Sequence, residues 1–373
     1  KLEDLTSIIF NKLDNPVLEK QYEDGYEIEP MSYAPIIPMI LVNGASGIGT
    51  GYSTNIPCFN PVDVIHNIKL LLDNQENKSD NKLKKMHPYY NNFNGKIKKL
   101  NSNQYESYGC YIVEKDNLVI TELPVGSSTG KYKENLEKWI EKEMDKKNKK
   151  KVNFTSYTDN NTDKRVHFVV NFKNGKLDKM KDIEKTFRLV DKINLTNMNA
   201  YNAKGRIQTY HNISTILSEF FEYRLEIYKK RKEYMLNILE QQLNKLNYKV
   251  KFILMKLEKK IKIENRKRTR LVEKLKKLGF PEFSNSYDYL LGMPLWNLTF
   301  EKVEELKKQR NLKQIEFNNL KAKTIEDIWS GELDNLLEKY YLWIESKKVA
   351  DEFFDNKKTK KKKSKKKSKL KVV

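Results

Sequence analysis

The chain has 373 residues, and its 72 Lys and Arg against 50 Asp and Glu give a formal net charge of +22, so the partner that its composition calls for is a polyanion. No apolar stretch is long enough for a signal sequence or a membrane span. Cys58 and Cys110 offer neither a disulfide framework nor a zinc site, and the scattered His66, His87, His167 and His211 argue against a metal or histidine-based catalytic centre.

The length accommodates two or three domains, and half of the net charge sits in the 11 lysines of Lys357–Lys371, a stretch without one acidic residue. Body and tail are therefore both basic. An anionic membrane surface is the other polyanion that fits, but no lipidation signal accompanies the charge. Starting at Lys1 rather than at a methionine, the chain is expected to begin partway through a longer one.

Residues 1–28 place Leu5, Ile8, Ile9 and Leu13 on a short helical face that ends before Asn15-Pro16. The apolar run from Pro35 to Val42 reads as a buried extended segment. It delivers a tightly turned, exposed loop in which glycines 44, 47, 49 and 51 surround one apolar residue, Ile48. A Walker loop would need Gly-Lys-Ser/Thr after the glycines, and no lysine follows Gly49 or Gly51. A dinucleotide fingerprint would need a third glycine where Tyr52 stands, and it would lead directly into a helix rather than to Ile56-Pro57. Two readings stay open: a plain strand followed by a glycine turn, or a backbone that approaches DNA closely with Ile48 as a wedge. A wedge unstacks a base step at a cost of about a few kcal/mol, which backbone contacts must offset.

Asn60 can cap a helix that Pro61 starts and that runs through Leu72, with Val64, Ile65, Ile68, Leu71 and Leu72 on its buried side. Residues 74–85 read as a polar loop. Tyr108–Val113 and Leu118–Leu123 form strands around a Lys115-Asp116-Asn117 turn, Val166–Phe172 forms another, and Tyr132–Met144 is an amphipathic helix. Lys146, Lys147, Lys149, Lys150 and Lys151 are either a phosphate-contacting run or a solvated loop. The Lys204-Gly205-Arg206 turn closes this region.

From Asn212 to about Asn265 there is neither proline nor glycine, and apolar residues recur at spacings of three and four. The pattern predicts one helix roughly 80 Å long with a coiled-coil seam. Its return partner runs from Thr299 through Leu320 and restarts at Thr324, which forms a capping box with Asp327, before a helix over Leu333–Ala350. A knob enclosed by two such arms has little core of its own, so its apolar residues are either buried against a second copy or gathered in a self-contained helical cap. The lysine tail is expected to be disordered, as a nuclear address or a DNA tether.

Glu29–Gly51, Phe93-Asn94-Gly95, Ile120–Pro124, Asn197-Met198 and Met293-Pro294-Leu295-Trp296 together resemble, in order, the type IIA DNA topoisomerases in their eukaryotic and large-DNA-virus form. The resemblance covers nearly everything before the tail. It implies an α+β chain: the end of a winged-helix region and the glycine wedge loop (1–57), a mixed α/β tower domain (58–210), a long coiled-coil helix (211–265), a C-gate knob (266–298), antiparallel return helices (299–352) and a disordered basic tail (353–373). By the same resemblance Ile48 matches the isoleucine that enters and bends gate DNA, and Asn43, Gly47, Gly49, Thr50, Gly51, Lys204 and Arg206 belong with it as DNA contacts. Leu290, Leu291, Met293, Pro294, Leu295 and Trp296 match the exit-gate dimer interface.

The implied function is that of the C-terminal part of an ATP-dependent type II topoisomerase, which changes DNA topology by double-strand breakage, strand passage and religation. The family's nucleophilic tyrosine follows an arginine and would lie just before Lys1. No Arg-Tyr pair occurs in this chain, and no Asp-x-Asp stands in an apolar strand context for magnesium. The 21 tyrosines are read as core, interface or stacking residues. No catalytic residue, metal site or bound cofactor is therefore expected here. Magnesium and ATP are implied for the complete enzyme, through upstream ATPase and metal-binding/winged-helix modules in the same or a separate chain. The implied partners are double-stranded DNA and a second copy, and the implied location is the nucleus or a viral replication factory. A non-enzymatic, coiled-coil architectural DNA-binding protein, or a degenerate fragment, is the alternative.

Overall fold

The computed structural model describes residues 3–77, 82–144, 154–173, 175–177, 180–263 and 266–369. The chain divides into two compact units, Lys1–Ile36 with Tyr223–Val373, and Ile37–Glu222. The glycine loop thus belongs to the same unit as the residues expected to form the tower. Among the described residues no helix is long and apolar enough to cross a membrane. The lysine run 146–151 lies outside the described residues.

The first unit opens with helix α1 (Asp4–Ile9), a 3-10 turn (Lys12–Val17) and a short hairpin of β1 (Tyr22–Glu23) and β2 (Tyr26–Glu27). The expected apolar face is only half right. Leu13 is exposed, and its neighbour Asp14 is buried instead. The reason lies far along the chain: Asp14 Oδ2 accepts from Arg224 Nη2 at 2.8 Å and Asp14 Oδ1 from Arg231 Nη1 at 3.2 Å.

The second unit opens differently from the expectation. The run expected to be extended instead forms the five-residue helix α2 (Met39–Asn43), started by Pro38 and stopped by Gly44. Short apolar runs do not distinguish a strand from a buried helical turn, and here the flanking Pro and Gly decide. A hairpin follows, β3 (Ala45–Ile48) with β4 (Ser53–Ile56), and then α3 (Pro61–Asn77), which Asn60 caps by accepting from Val62 N at 3.0 Å. Val64, Ile65, Ile68 and Leu72 are buried as the spacing predicts, while the helix runs five residues past Leu72.

Two sheets come next. Edge strand β5 (Lys96–Lys99), β6 (Gln104–Tyr108) and the later β11 (Val190–Asn194) form a three-stranded sheet in the order β11-β6-β5. β7 (Cys110–Glu114), β8 (Asn117–Glu122), β9 (Phe154–Asp159) and β10 (Phe168–Phe172) form a four-stranded antiparallel sheet in the order β7-β8-β10-β9. The turn at Lys115 has a φ of 52°, as the sequence predicts for a tight hairpin. Helix α4 (Thr129–Met144) covers this sheet, burying Tyr132 and Leu136 against Ile120, Phe168 and Val170. After α5 (Ile183–Thr186), the unit ends in a hairpin of β12 (Met198–Tyr201) and β13 (Ile207–Tyr210).

The division between the units falls inside α6 (Ile213–Leu257), whose 45 residues give about 67 Å of helix. It stops short of Asn265, and Lys259 at φ 60° marks the break. Within the first unit α9 (Phe300–Ala322) packs back along α6. Ile253 meets Val303 and Leu306, while Lys232 Nζ bonds the carbonyl oxygens of Lys321 and Lys323, so the two run antiparallel.

Between them lie α7 (Arg268–Lys277), α8 (Asp288–Leu291) and a 3-10 turn, Leu295–Asn297. Contrary to the expectation of little core, Phe252, Ile261, Leu275, Phe280, Tyr287 and Leu290 pack together there. Two short helices folded onto the end of α6 suffice to bury them.

Helix α10 (Ile325–Lys369) begins at the predicted box: Asp327 N donates to Thr324 Oγ1 at 2.9 Å and Thr324 N to Asp327 Oδ2 at 3.0 Å. Its backbone stays helical to Lys369, where disorder was expected from residue 353. No proline or glycine interrupts this stretch, and lysine is a good helix former, so local propensity favours helix despite like-charge repulsion.

Candidate nucleic-acid interface

The hairpin of β3 and β4 pairs Ala45 with Ile56 through to Ile48 with Ser53, so the four residues Gly49–Tyr52 form its tip. Gly49 N donates to Tyr52 O at 2.7 Å and closes the turn, with Gly51 at φ 80°. Ile48 stands at the last paired position and is 95 % exposed. A large aliphatic side chain carried so far into solvent contributes nothing to the core and is available to another molecule.

At the base, Gly44 has φ 66° and ψ 177°, a region that only glycine readily adopts. A Cβ there would lie 2.6 Å from Ile56 O. The glycine sets the angle at which the hairpin leaves α2.

A second hairpin is joined to the first through two asparagines. Asn55 N donates to Asn197 O at 2.7 Å, Asn199 Nδ2 to Ser53 O at 2.7 Å, and Asn197 Nδ2 to Ser53 Oγ at 2.9 Å. Asn199 Oδ1 in turn accepts from Thr209 Oγ1 at 2.6 Å. Stepping from 197, just before β12, to 199 on β12 matches stepping from 55 to 53 on β4. The two strands are therefore antiparallel, and the turn after β12 lies at the same end as Ile48.

That turn, 202–206, carries Lys204 and Arg206. Asn202 Oδ1 accepts from Lys204 N and from Arg206 N, each at 3.0 Å, which locks the loop. Both cationic side chains are exposed, and among the described residues neither enters an ion pair. An exposed apolar tip flanked by two uncompensated cations can press into a groove while neutralising phosphates beside it.

The structure brings Gly47, Ile48, Gly49, Thr50 and Gly51 together at one tip and places Lys204 and Arg206 on the neighbouring turn. Asn43 stands apart, at the end of α2, where its carbonyl accepts from Cys58 Sγ at 3.1 Å. Sequence reading misses the contribution of Ser53 and Asn199. Asn197 stands out only as part of a dipeptide, and nothing in its spacing reveals a partner 144 residues away.

In the first unit the knob residues separate by exposure. Leu290 is 1 % exposed and belongs to the knob's own core, with Leu291 and Met293 packed against it. Pro294 is half-buried, Leu295 opens the 3-10 turn, and Trp296 is 78 % exposed, with Phe300 also exposed one turn later.

The described tyrosines with a perturbed acidity are all perturbed upward. Burial pushes Tyr90 up to about 12 and raises Tyr132, Tyr210 and Tyr228 further, the opposite of what an activated nucleophile needs. The residues present do not fit the magnesium or ATP that the resemblance implies for the complete enzyme. Among the described residues no group of three or more His, Cys, Asp or Glu could hold a metal ion, and the glycine loop has no phosphate-binding lysine.

Comparison with known proteins gives one answer at three levels. The family model for the A-type subunit of DNA gyrase/topoisomerase IV matches residues 1–334. DNA topoisomerase 2 of Bombyx mori is 36 % identical over 95 % of this chain and 26 % of its own length. That of Acanthamoeba polyphaga mimivirus is 37 % identical over 91 % of this chain and 32 % of its own. The crystal structure of the Plasmodium falciparum topoisomerase II DNA-binding, cleavage and re-ligation domain superposes with a TM-score of 0.80 at 33 % identity, covering 93 % of this chain and 50 % of that one. The chain thus spans between a quarter and a third of the two curated relatives. It belongs to the family of DNA gyrase/topoisomerase IV A-type subunits, with the mixed α/β fold of a topoisomerase II cleavage and re-ligation core.

Proposed function

We propose that this chain is the C-terminal part of the DNA cleavage and religation core of a type II DNA topoisomerase, an isomerase that changes DNA topology, and that its own task is to bend gate DNA and form the exit-gate dimer. The observation that carries the reading is the exposed Ile48 on a braced hairpin tip beside the turn of Lys204 and Arg206. The glycines leave the hairpin backbone bare enough to enter a minor groove. Ile48 opens one base step, and Lys204 and Arg206 hold the phosphates that the bend brings nearer. Gly47, Gly49, Thr50 and Gly51 complete the contact surface, with Asn43 at its base.

The antiparallel pair α6 and α9 serves as a coiled-coil arm, and the knob is the C-gate, where Trp296 meets a second copy. Strand cleavage by a tyrosine, magnesium and ATP hydrolysis belong to other modules of the complete enzyme, acting in a nucleus or a viral factory. No step of the present reading passes through them. The architectural alternative is not favoured, because family likeness covers residues 1–334 rather than a DNA-binding patch alone.

Replacing Ile48 by Ala tests the wedge. Bending of a fluorescently end-labelled duplex falls sharply while non-specific affinity and its salt dependence stay near wild type, because no charge is removed. Equal loss of bending and of non-specific binding would refute a wedge role.

A further inference from the structure

The pairing that joins the two hairpins fixes more than the two cations. Asn197 lies level with Asn55 and Asn199 with Ser53, so Tyr201, two residues further along β12, lies beyond Ser53 towards the end of the hairpins that carries Ile48. Tyr201 is 73 % exposed, and its cross-strand partner Ile207 is exposed as well. The second hairpin therefore ends in an apolar pair of its own, followed at once by Lys204 and Arg206. Single exposed apolar residues are ordinary on a protein surface. An exposed aromatic and an aliphatic residue paired across a braced hairpin, at the same end as an exposed isoleucine and bordered by cations that enter no ion pair among the described residues, form a surface shaped for a flat, negatively charged partner.

We propose that Tyr201, backed by Ile207, is a second apolar contact to the gate duplex, packing its ring on the sugars and base edges next to the step that Ile48 opens. The inference rests on the wedge reading and deepens it: two adjacent hairpins, not one, hold the bend. Tyr201 is a positioning residue, since it touches duplex but no reacting atom. Its hydroxyl is not required, so the ring alone carries the effect.

The test uses the whole chain and a duplex with 2-aminopurine at successive positions around the bend, with end-to-end energy transfer as a second readout. Tyr201→Ala is expected to weaken duplex binding about tenfold, within the range for loss of one aromatic contact to nucleic acid. It should lower the bent fraction and quench the 2-aminopurine signal beside the wedge step, with the salt slope unchanged. Tyr201→Phe should behave as wild type, and Lys204→Ala should instead reduce the salt slope by about one. Because Tyr201 is exposed, circular dichroism and the thermal midpoint of the variant should not move. If Tyr201→Ala binds and bends as wild type while Ile48→Ala loses bending, the inference is overturned and the wedge reading stands. If Ile48→Ala has no effect on bending, the wedge reading falls and takes the inference with it.

Discussion

Asp14 is the position at which a single substitution should do the most damage to the first unit. Its carboxylate is 2 % exposed and bridges Arg224 and Arg231, which are 0 % and 3 % exposed. Glu332 supplies the second negative charge, accepting from Arg231 Nη2 at 2.5 Å and from Tyr228 Oη at 2.6 Å. Both guanidinium groups lie over the Tyr228 ring, at 4.2 and 4.4 Å from its centre, and Trp329 stacks on that ring. Burial works against the charge on Arg231, but Glu332 and Asp14 outweigh it and raise its pKa. Two cations and two anions thus make a neutral set, buried except for the partly exposed Glu332.

Asp14→Ala leaves Arg231 with Glu332 but leaves Arg224 without a carboxylate. Stranding one buried charge costs about 3–5 kcal/mol, a large part of the roughly 5–15 kcal/mol that stabilises an ordinary domain. Chemical denaturation followed by circular dichroism should show a transition displaced by that amount. Asp14→Ala combined with Arg224→Met should recover most of it, since an apolar replacement of the pair removes the stranded charge. An exposed control, Glu27→Ala, removes the surface pair with Lys20 and should leave the transition in place. If Asp14→Ala matches that control, or if the double variant is no better than the single one, the network is solvated and the reasoning fails.

Gly44→Ala forces a Cβ against Ile56 O in a backbone region reserved for glycine. The backbone strain alone is about 1–3 kcal/mol, so thermal melting should show lower stability and hydrogen exchange should report looser amides in β3 and β4. Trp296→Ala removes the most exposed aromatic of the knob. Sedimentation equilibrium should show dimerisation weakened by about thirtyfold, the loss of one interface anchor worth about 2 kcal/mol, while an unchanged association constant would place the dimer contact elsewhere. Tyr90, raised to about 12 by burial, loses its proton in the unfolded chain near pH 10. Its contribution to stability is therefore complete below pH 10 and is lost as the pH rises towards 12. Alkaline titration should show tyrosinate absorbance rising together with loss of helix signal, and a native tyrosinate signal complete by pH 10 would contradict the burial.

What could be read from the chain alone was what depends on neighbours in sequence. The Asn60-Pro61 start of α3, the Thr324–Asp327 box and the Lys115 turn each involve residues within a few positions, and each forms as the local chemistry dictates. The glycine tip around Ile48 was legible for the same reason. The helical α2 was not, because an apolar run of that length fits a buried strand equally well. Arg224 and Arg231 were not either: arginines in a highly charged helix read as solvent-facing, and the carboxylate that permits their burial is 210 residues away from Arg224. The expectation that the knob has little core of its own overlooked Phe252 and Ile261, which lie outside the interval assigned to it and complete its core.

If Ile48 acts as the proposed wedge, the asparagines between the two hairpins are what let it work on so small a platform. Opening a base step costs about a few kcal/mol, and a side chain on a loose loop would yield before the stack did. Ile48 has no packing of its own to resist that load, so resistance must come from the strand behind it. Ser53 is its direct cross-strand partner. The carbonyl of Ser53 is held by Asn199 and its hydroxyl by Asn197, and Asn199 is itself fixed by Thr209 on β13. A load on the isoleucine would thus pass across four strands within two residues of the tip. Because the same bonds carry the turn of Lys204 and Arg206, the isoleucine and the two cations are braced as one piece. On the proposed reading, charge neutralisation along the bend acts directly on the step that the isoleucine opens, instead of merely holding the duplex nearby.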